Sequence, residues 1–307
     1  MTKADGSDRP EYLPGYKWNQ KRAERVCDFI EKFCHHARGK WADKPFILLP
    51  WQRDFVETIY GWEDANGNRR FRTASLFVPK KNGKSSLAAC LTLVQMFVEG
   101  EPMAEIIGCA SDRAQAAIVF RECAAIVRAS PHLKKVLEII DSRNTILYRK
   151  SMSRYYCLSG EHHRSEGINA SCVIFDEIHA QKDDRLWNAV RYSTASRENP
   201  LLLSISTAGA DRRPGLPWWD LWTYTERVSA DPSVDPSFYG KIYAAHEEDD
   251  EETFFSDEKI WHKANPSLGH TISLDSFKAD ATEAKNSSTR RNAWLRYRLN
   301  LPRSADN

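Results

Sequence analysis

The sequence has no run of 18 apolar residues, and its first eight residues carry no apolar stretch behind a basic start. A membrane-spanning helix, a membrane partner and a secretory signal are therefore not expected. It also has no Cys-x-x-Cys pair, so its seven scattered cysteines give no anchor for a structural zinc site. Neither sign of charge dominates. The 44 basic and 42 acidic residues exclude a globally basic nucleic-acid coat but leave room for a local basic face.

From residue 71 onward, short apolar runs of strand length alternate with longer amphipathic stretches. This alternation predicts an α/β fold with a mostly parallel sheet covered by helices on both faces. The predicted strands are Thr73–Val78, Ile106–Ala110, Ser171–Phe175 and Leu201–Ser206, with a β-hairpin insertion within Val136–Leu158. The predicted helices are 18–38, 51–60, Lys84–Val98, 112–129, Arg185–Thr194, Leu274–Lys285 and Ser288–Leu299.

A phosphate-binding loop is predicted between the first of these strands and its helix. Residues 78–85 read Val-Pro-Lys-Lys-Asn-Gly-Lys-Ser, which matches the P-loop pattern except that Val78 replaces the first glycine. Gly83 would let the backbone approach phosphates, and the helix start favours an anion. Lys84 would neutralise the β- and γ-phosphates, and Ser85 would place a hydroxyl on Mg²⁺. The alternative is a glycine turn before a helix, with a solvated lysine.

Two carboxylates end the strand Ser171–Phe175, where open α/β sheets place their ligands. Asp176 would bind Mg²⁺, and Glu177 would orient and deprotonate an attacking water. The alternative is an exposed acidic pair that caps the next helix. A further strand ends in Ser206 and Thr207, and either hydroxyl could sense the γ-phosphate.

The ordered set of these motifs resembles the large terminase subunits of tailed bacteriophages, especially the group with HK97-like capsids. The resemblance extends over about residues 45 to 301 and includes Leu49-Pro50-Trp51-Gln52, the P-loop, the run Val173–His179 and Ser206-Thr207-Ala208-Gly209. It implies a DNA-packaging motor with a P-loop ATPase domain of the additional-strand (ASCE, RecA-like) type, followed by an RNase H-like nuclease domain.

The resemblance also implies roles for single residues. Trp51 and Gln52 match the segment that contacts adenine, although Trp51 could equally be a tryptophan of the hydrophobic core. Lys80 stands where the family often has an arginine that contacts phosphate or senses the nucleotide. Arg164 matches an arginine finger given to a neighbouring subunit, with a surface arginine as the alternative. The full predicted nucleotide set is Trp51, Gln52, Lys80, Lys81, Asn82, Gly83, Lys84, Ser85, Ser86, Ser206 and Thr207, with Mg²⁺ on Ser85 and Asp176.

The implied cofactors are ATP and Mg²⁺. The implied partners are double-stranded DNA, further copies in a ring (a pentamer on the portal), the portal protein and the small terminase subunit, in the host cytoplasm. We expect a flexible tail over residues 1–15, the ATPase core over 16–209, and the rest of that domain with a small lid subdomain over 210–307. Residues 302–307 cannot supply a two-metal site, so no nuclease activity is expected of this chain. A helicase-like translocase and a non-hydrolysing assembly module remain as alternatives.

Overall fold

An eight-stranded sheet forms the centre of the protein. The computed structural model describes residues 6–159 and 168–303. Within these ranges the strands are β1 (Lys17–Trp18), β2 (Trp62–Glu63), β3 (Thr73–Phe77), β4 (Glu105–Ala110), β5 (Glu138–Ile140), β6 (Thr145–Tyr148), β7 (Ser153–Ser159), β8 (Cys172–Asp176), β9 (Leu201–Ser206) and β10 (Phe238–Ile242). The helices are α1 (Gln20–Phe33), α2 (Pro50–Gly61), α3 (Lys84–Phe97), α4 (Arg113–Ala129), α5 (Arg185–Tyr192), α6 (Pro217–Ala230), α7 (Glu258–Ala264), α8 (Leu274–Lys285) and α9 (Ser288–Leu299).

The strand order of the large sheet is β10-β3-β9-β8-β4-β7-β6-β5. The first six strands of this order are parallel, while β6 and β5 add antiparallel pairs at one edge. Strand β9 lies between the P-loop strand β3 and the carboxylate strand β8, which is the arrangement expected of the additional-strand class. The predicted hairpin exists as β6 and β7, but β7 also pairs with β4, so the hairpin continues the main sheet.

Alternate residues of the strands pack into two separate cores, as expected for a sheet buried on both faces. In β8, Cys172 and Ile174 join the cluster formed with α1 to α4, whereas Val173 and Phe175 join the cluster formed with α5 and α6. Each fully buried side chain of this size contributes about 1.5–3 kcal/mol. Both layers hold β8 in place, and with it the carboxylates at its end.

Helix α6, strand β10 and helix α7 are elements that the sequence reading missed. Strand β10 contains Gly240, which weakens a strand signal. The glycine is required because a Cβ there would lie 2.4 Å from Thr225 Cγ2 and 2.6 Å from Ser75 Oγ. Helix α6 is rich in tryptophan and lies against the sheet, with Trp218 and Trp222 buried.

Part of the predicted flexible tail contacts the core. The guanidinium of Arg9 lies 3.5 Å from the centroid of the Trp18 ring, and Arg70 Nη1 donates to the carbonyl oxygen of Glu11 at 2.5 Å. This part of the predicted tail is therefore held by β1 and by Arg70, while residues 1–5 lie outside the described residues.

The C-terminal segment has a hydrophobic core of its own, which we call the C-terminal subdomain (residues 245–301). Its buried residues come from α7, α8, α9 and the preceding turn, and they include Phe254, Trp261, Phe277 and Trp294. Two ion pairs join the acidic run 247–252 to α8 and α9, namely Arg291–Glu251 and Lys285–Glu252. None of the described helices is both long and apolar enough to cross a membrane.

Candidate active site

The P-loop forms a left-handed turn before α3. Gly83 has φ +86° and is the N-cap of α3, and Lys81 has φ +73°. Glycine adopts the left-handed conformation with the least strain, which explains why residue 83 is a glycine. Gly83, as the N-cap, has no side chain to cap this helix start. Its first amide groups remain available to an anion, and the helix dipole adds to that attraction.

Lys84 lies at the centre of the site, and only 6% of the residue is exposed. Its Nζ donates to Thr207 Oγ1 at 2.7 Å and to the carbonyl oxygen of Val78 at 3.1 Å. It also lies 3.6 Å from Glu177 Oε1. Burial lowers the pKa of the Lys84 ammonium group, and the nearby charges of Glu177 and Asp176 oppose that effect. The ammonium group thus connects the ends of β3, β8 and β9.

Glu177 follows β8 directly and takes a left-handed conformation with φ +52°. Its Oε2 accepts from the backbone N–H of Thr207 at 3.2 Å and lies 3.0 Å from His179 Nδ1. Burial alone would raise the pKa of the Glu177 carboxyl, but the Lys84 charge and the His179 hydrogen bond outweigh it and lower the pKa to about 2. Glu177 is therefore ionised at neutral pH.

Asp176 is the last residue of β8, and only 2% of it is exposed. Among the described residues no donor reaches its buried Oδ1 atom. Burial, together with the neighbouring Glu177 charge, raises the pKa of the Asp176 carboxyl to about 7. An orphaned carboxylate oxygen in such a place fits a divalent cation, and Mg²⁺ typically takes only one or two protein ligands beside phosphates. Ser85, half-buried in the first turn of α3, is the second predicted ligand.

Trp51 and Gln52 lie at the start of α2, next to the P-loop. Both are buried, and a Cβ placed on Gly83 would lie 3.5 Å from Gln52 Nε2. The side-chain oxygen of Gln52 accepts from the backbone N–H of Leu49, so it caps its own helix. The indole N–H of Trp51 donates to Ser267 Oγ at 2.9 Å. Both side chains are thus fixed by protein contacts beside the glycine turn.

The other predicted P-loop residues contact the C-terminal subdomain and α4. Lys80 Nζ lies 3.6 Å from the centroid of the Tyr297 ring, and the carbonyl oxygen of Lys81 accepts from Thr271 Oγ1 at 2.9 Å. The hydroxyl of Ser86 donates to Glu122 on α4 at 2.7 Å, which directs it to a protein partner.

Asn82 is fully buried and joins the P-loop to the C-terminal subdomain. Its Nδ2 donates to Asn265 Oδ1 at 2.9 Å and to the Pro79 carbonyl oxygen at 3.2 Å. Its Oδ1 accepts from the Ser267 backbone N–H at 3.1 Å. Sequence reading missed Asn265 and Ser267 because nothing local in the sequence marks a contact across 183 or 185 positions.

Ser206 ends β9, and Thr207 follows it directly, beside Glu177. The Ser206 hydroxyl lies 3.0 Å from His179 Nδ1, and the Thr207 hydroxyl accepts from Lys84. His179 was not predicted as a site residue, although its position three residues after Asp176, within the run Val173–His179, could have indicated it. Arg164, the predicted finger, falls at residues 160–167, outside the described residues.

Known proteins with similar sequences identify the family. Residues 50–225 match the family described as "Terminase large subunit, ATPase domain". The chain belongs to this terminase family. It is 30% identical over 283 residues to the terminase large subunit of Enterobacteria phage HK97, covering 91% of this chain and 53% of that protein. The terminase large subunit of Lactococcus phage p2 is 25% identical over 296 residues, covering 94% of this chain and 53% of the relative.

A solved structure agrees with the sequence matches. The crystal structure of the HK97 bacteriophage large terminase has a TM-score of 0.79 and 29% identity, and the match covers 92% of this chain and 55% of that chain. The terminase chain described here thus spans about half the length of these relatives. The predicted family and fold class are confirmed, and family membership assigns ATPase activity to this domain. The helicase-like and assembly-module alternatives are not favoured.

Proposed function

We propose that this terminase ATPase domain couples ATP hydrolysis to the translocation of double-stranded viral DNA into a procapsid. The proposal rests on the cluster of Lys84, at the start of α3, with Asp176 and Glu177, at the end of β8; Lys84 and Asp176 are buried and Glu177 is partly buried. The Lys84 ammonium group, the Asp176 carboxyl group and the ionised Glu177 carboxylate all lie at the N-terminus of α3. A protein that only binds nucleotide has no need of the ionised carboxylate.

In this proposal Lys84 neutralises charge on the β- and γ-phosphates, and the backbone from Lys80 to Ser86 surrounds them. Glu177 orients the attacking water and accepts its proton while the water oxygen bonds to the γ-phosphorus and the bond to the bridging oxygen breaks. Ser206 and Thr207 respond to the γ-phosphate from the end of β9.

Mg²⁺ fits the same site, because Asp176 Oδ1 is buried without a donor among the described residues. Asp176 and Ser85 would hold the ion, which would offset negative charge on the phosphates. Trp51 and Gln52 would border the adenine side of the site beside Gly83, where Gln52 already lies.

The assembly that we propose is a ring of these chains, a pentamer on the portal, with the small terminase subunit as a further partner in the host cytoplasm. Arg164 would supply a cation to the neighbouring subunit's site, as arginine fingers do. DNA contacts would go to phosphates and would weaken steeply with salt. The C-terminal subdomain, which contacts the P-loop through Asn82, would act as the lid that moves with hydrolysis.

The test is Mg²⁺-dependent ATP hydrolysis at several protein concentrations, for the wild type, Glu177→Ala and Arg164→Ala. Arg191→Ala is the matched control, because Arg191 is an exposed arginine on α5. We expect activity to rise more than linearly with concentration, and both site variants to lose it while the control keeps it. Absence of Glu177-dependent turnover at every concentration, with DNA and portal present, would refute the motor function.

A second assay measures DNA entry. Protection of linear double-stranded DNA from nuclease inside procapsids should require ATP and fail with Glu177→Ala. Hydrolysis of ATP without protection of DNA would support the ATPase activity but overturn the packaging function.

A further inference from the structure

His179 lies on a short 3₁₀ turn, Ile178–Ala180, immediately after the catalytic strand. Its ring Nδ1 is 3.0 Å from Glu177 Oε2 and 3.0 Å from Ser206 Oγ. Its backbone N–H also donates to Ser206 Oγ, at 3.3 Å. The residue therefore connects the end of β8 to the end of β9 through both its ring and its backbone.

The two oxygens of Glu177 have different surroundings. Oε2 is held by His179 and by the Thr207 backbone N–H, whereas Oε1 faces Lys84 at 3.6 Å. Only 15% of the His179 side chain and 16% of the Glu177 side chain are exposed, so this hydrogen bond is strong for its type. Without the imidazole, Oε2 would keep only the Thr207 backbone N–H at 3.2 Å and the Ser206 hydroxyl at 3.5 Å, and the carboxylate would gain rotational freedom.

We propose that His179 is a positioning residue for ATP hydrolysis, which holds Glu177 Oε2 through Nδ1–H and fixes the carboxylate against Ser206. This rests on the proposed function, in which Glu177 acts on the attacking water. An ionised carboxylate only accepts hydrogen bonds, so the ring must present a proton on Nδ1 to bond to it. His179 touches neither nucleotide nor water in this role and acts through Glu177.

Steady-state kinetics separate this role from a structural one. We expect His179→Ala to lower kcat about 10- to 100-fold, because a misplaced catalytic group costs that much. The Kd for a fluorescent ADP analogue should change less than about twofold, since positioning acts on the reaction step. His179→Asn, whose amide can donate from a similar place, should recover most of kcat. His262→Ala removes an exposed imidazole on α7 and is the matched control.

Combining the variants tests whether His179 acts through Glu177. In a Glu177→Asp background, where the shorter carboxylate should keep some turnover but not reach His179, His179→Ala should produce no further loss. An equal loss in both backgrounds, an unchanged kcat, or a loss of ADP affinity as large as the loss of kcat would each overturn the proposal.

A measurement that needs no ATP turnover distinguishes failure of the His179 positioning role from failure of the proposed motor function. Nitrogen-15 NMR of the imidazole should show the Nδ1–H tautomer for His179 in the wild type, and Glu177→Ala should shift that signal. A wild-type ring protonated on Nε2 alone would overturn the positioning role even if the chain hydrolyses ATP. A chain that shows the Nδ1–H signal but no hydrolysis would refute the proposed function and leave the hydrogen bond established.

Discussion

Replacement of Asn82 should have a large effect on stability, because its buried side chain makes three hydrogen bonds: one within the P-loop, to Pro79, and two to Asn265 and Ser267 of the C-terminal subdomain. A neutral hydrogen bond contributes about 1 kcal/mol net, so Asn82→Ala should lower the free energy of unfolding by about 3 kcal/mol. The buried Asn265 oxygen and the Ser267 N–H, each left without this partner, add to that loss. Exposed Asn66, in the turn after β2, is the matched control.

Urea unfolding followed by tryptophan fluorescence measures the effect, since the chain has ten tryptophans. We expect Asn66→Ala to stay within about 0.5 kcal/mol of the wild type. Asn82→Ala and Asn265→Ala should be less than additive by about 1 kcal/mol, because they remove the same bond. An Asn82→Ala variant as stable as the control, or strict additivity, would show that these contacts do not tie the P-loop to the C-terminal subdomain.

Three further changes test single features of the site. Gly83→Ala should cost about 1–2 kcal/mol and weaken ADP binding, whereas Gly67→Ala, also at positive φ (+80°) but in an open turn, should cost stability alone; equal ADP affinities would argue against the P-loop role. In metal-free buffer, Asp176→Asn should be more stable than the wild type at pH 8. The pKa of Asp176 is raised from an ordinary 3.8 to about 7 in the folded protein. The free energy of unfolding of the wild type should therefore fall as pH rises from 3.8 to about 7, by at most about 4 kcal/mol. If urea unfolding still shows Asp176→Asn to be more stable than the wild type below pH 4, the raised pKa of Asp176 is contradicted. Ser86→Ala should cost about 1 kcal/mol through its lost bond to Glu122 and leave the ADP Kd unchanged, and a tenfold weaker Kd would place that hydroxyl at the phosphates instead.

The sequence was sufficient to predict the groups at the ends of the parallel strands. Asp176 and Glu177 follow a short apolar run, and Lys84 follows another through the P-loop pattern; parallel strands bring such positions to one edge of a sheet. Their prediction required the alternation of strands and helices together with the P-loop spacing. The structure brings all three together, while their chemical roles and that of Arg164 stay predictions.

The remaining site contacts depend on the tertiary fold. Asn265 and Ser267 have no local pattern that marks them as partners of the P-loop, because the contact depends on how the C-terminal subdomain packs. The side-chain direction of Ser86 depends on Glu122 of α4, which sequence spacing does not reveal. Strand β10 was missed because Gly240 is required by packing and lowers strand propensity.

The Asn82 contacts have a consequence for how salt would act on the protein. Asn82, Asn265 and Ser267 are uncharged and fully buried, so dissolved ions do not screen the bonds between them. Ion pairs on the surface of the C-terminal subdomain, such as Lys285–Glu252, are exposed to that screening. Higher ionic strength should therefore weaken the surface ion pairs of the C-terminal subdomain and leave its buried hydrogen bonds to the P-loop intact.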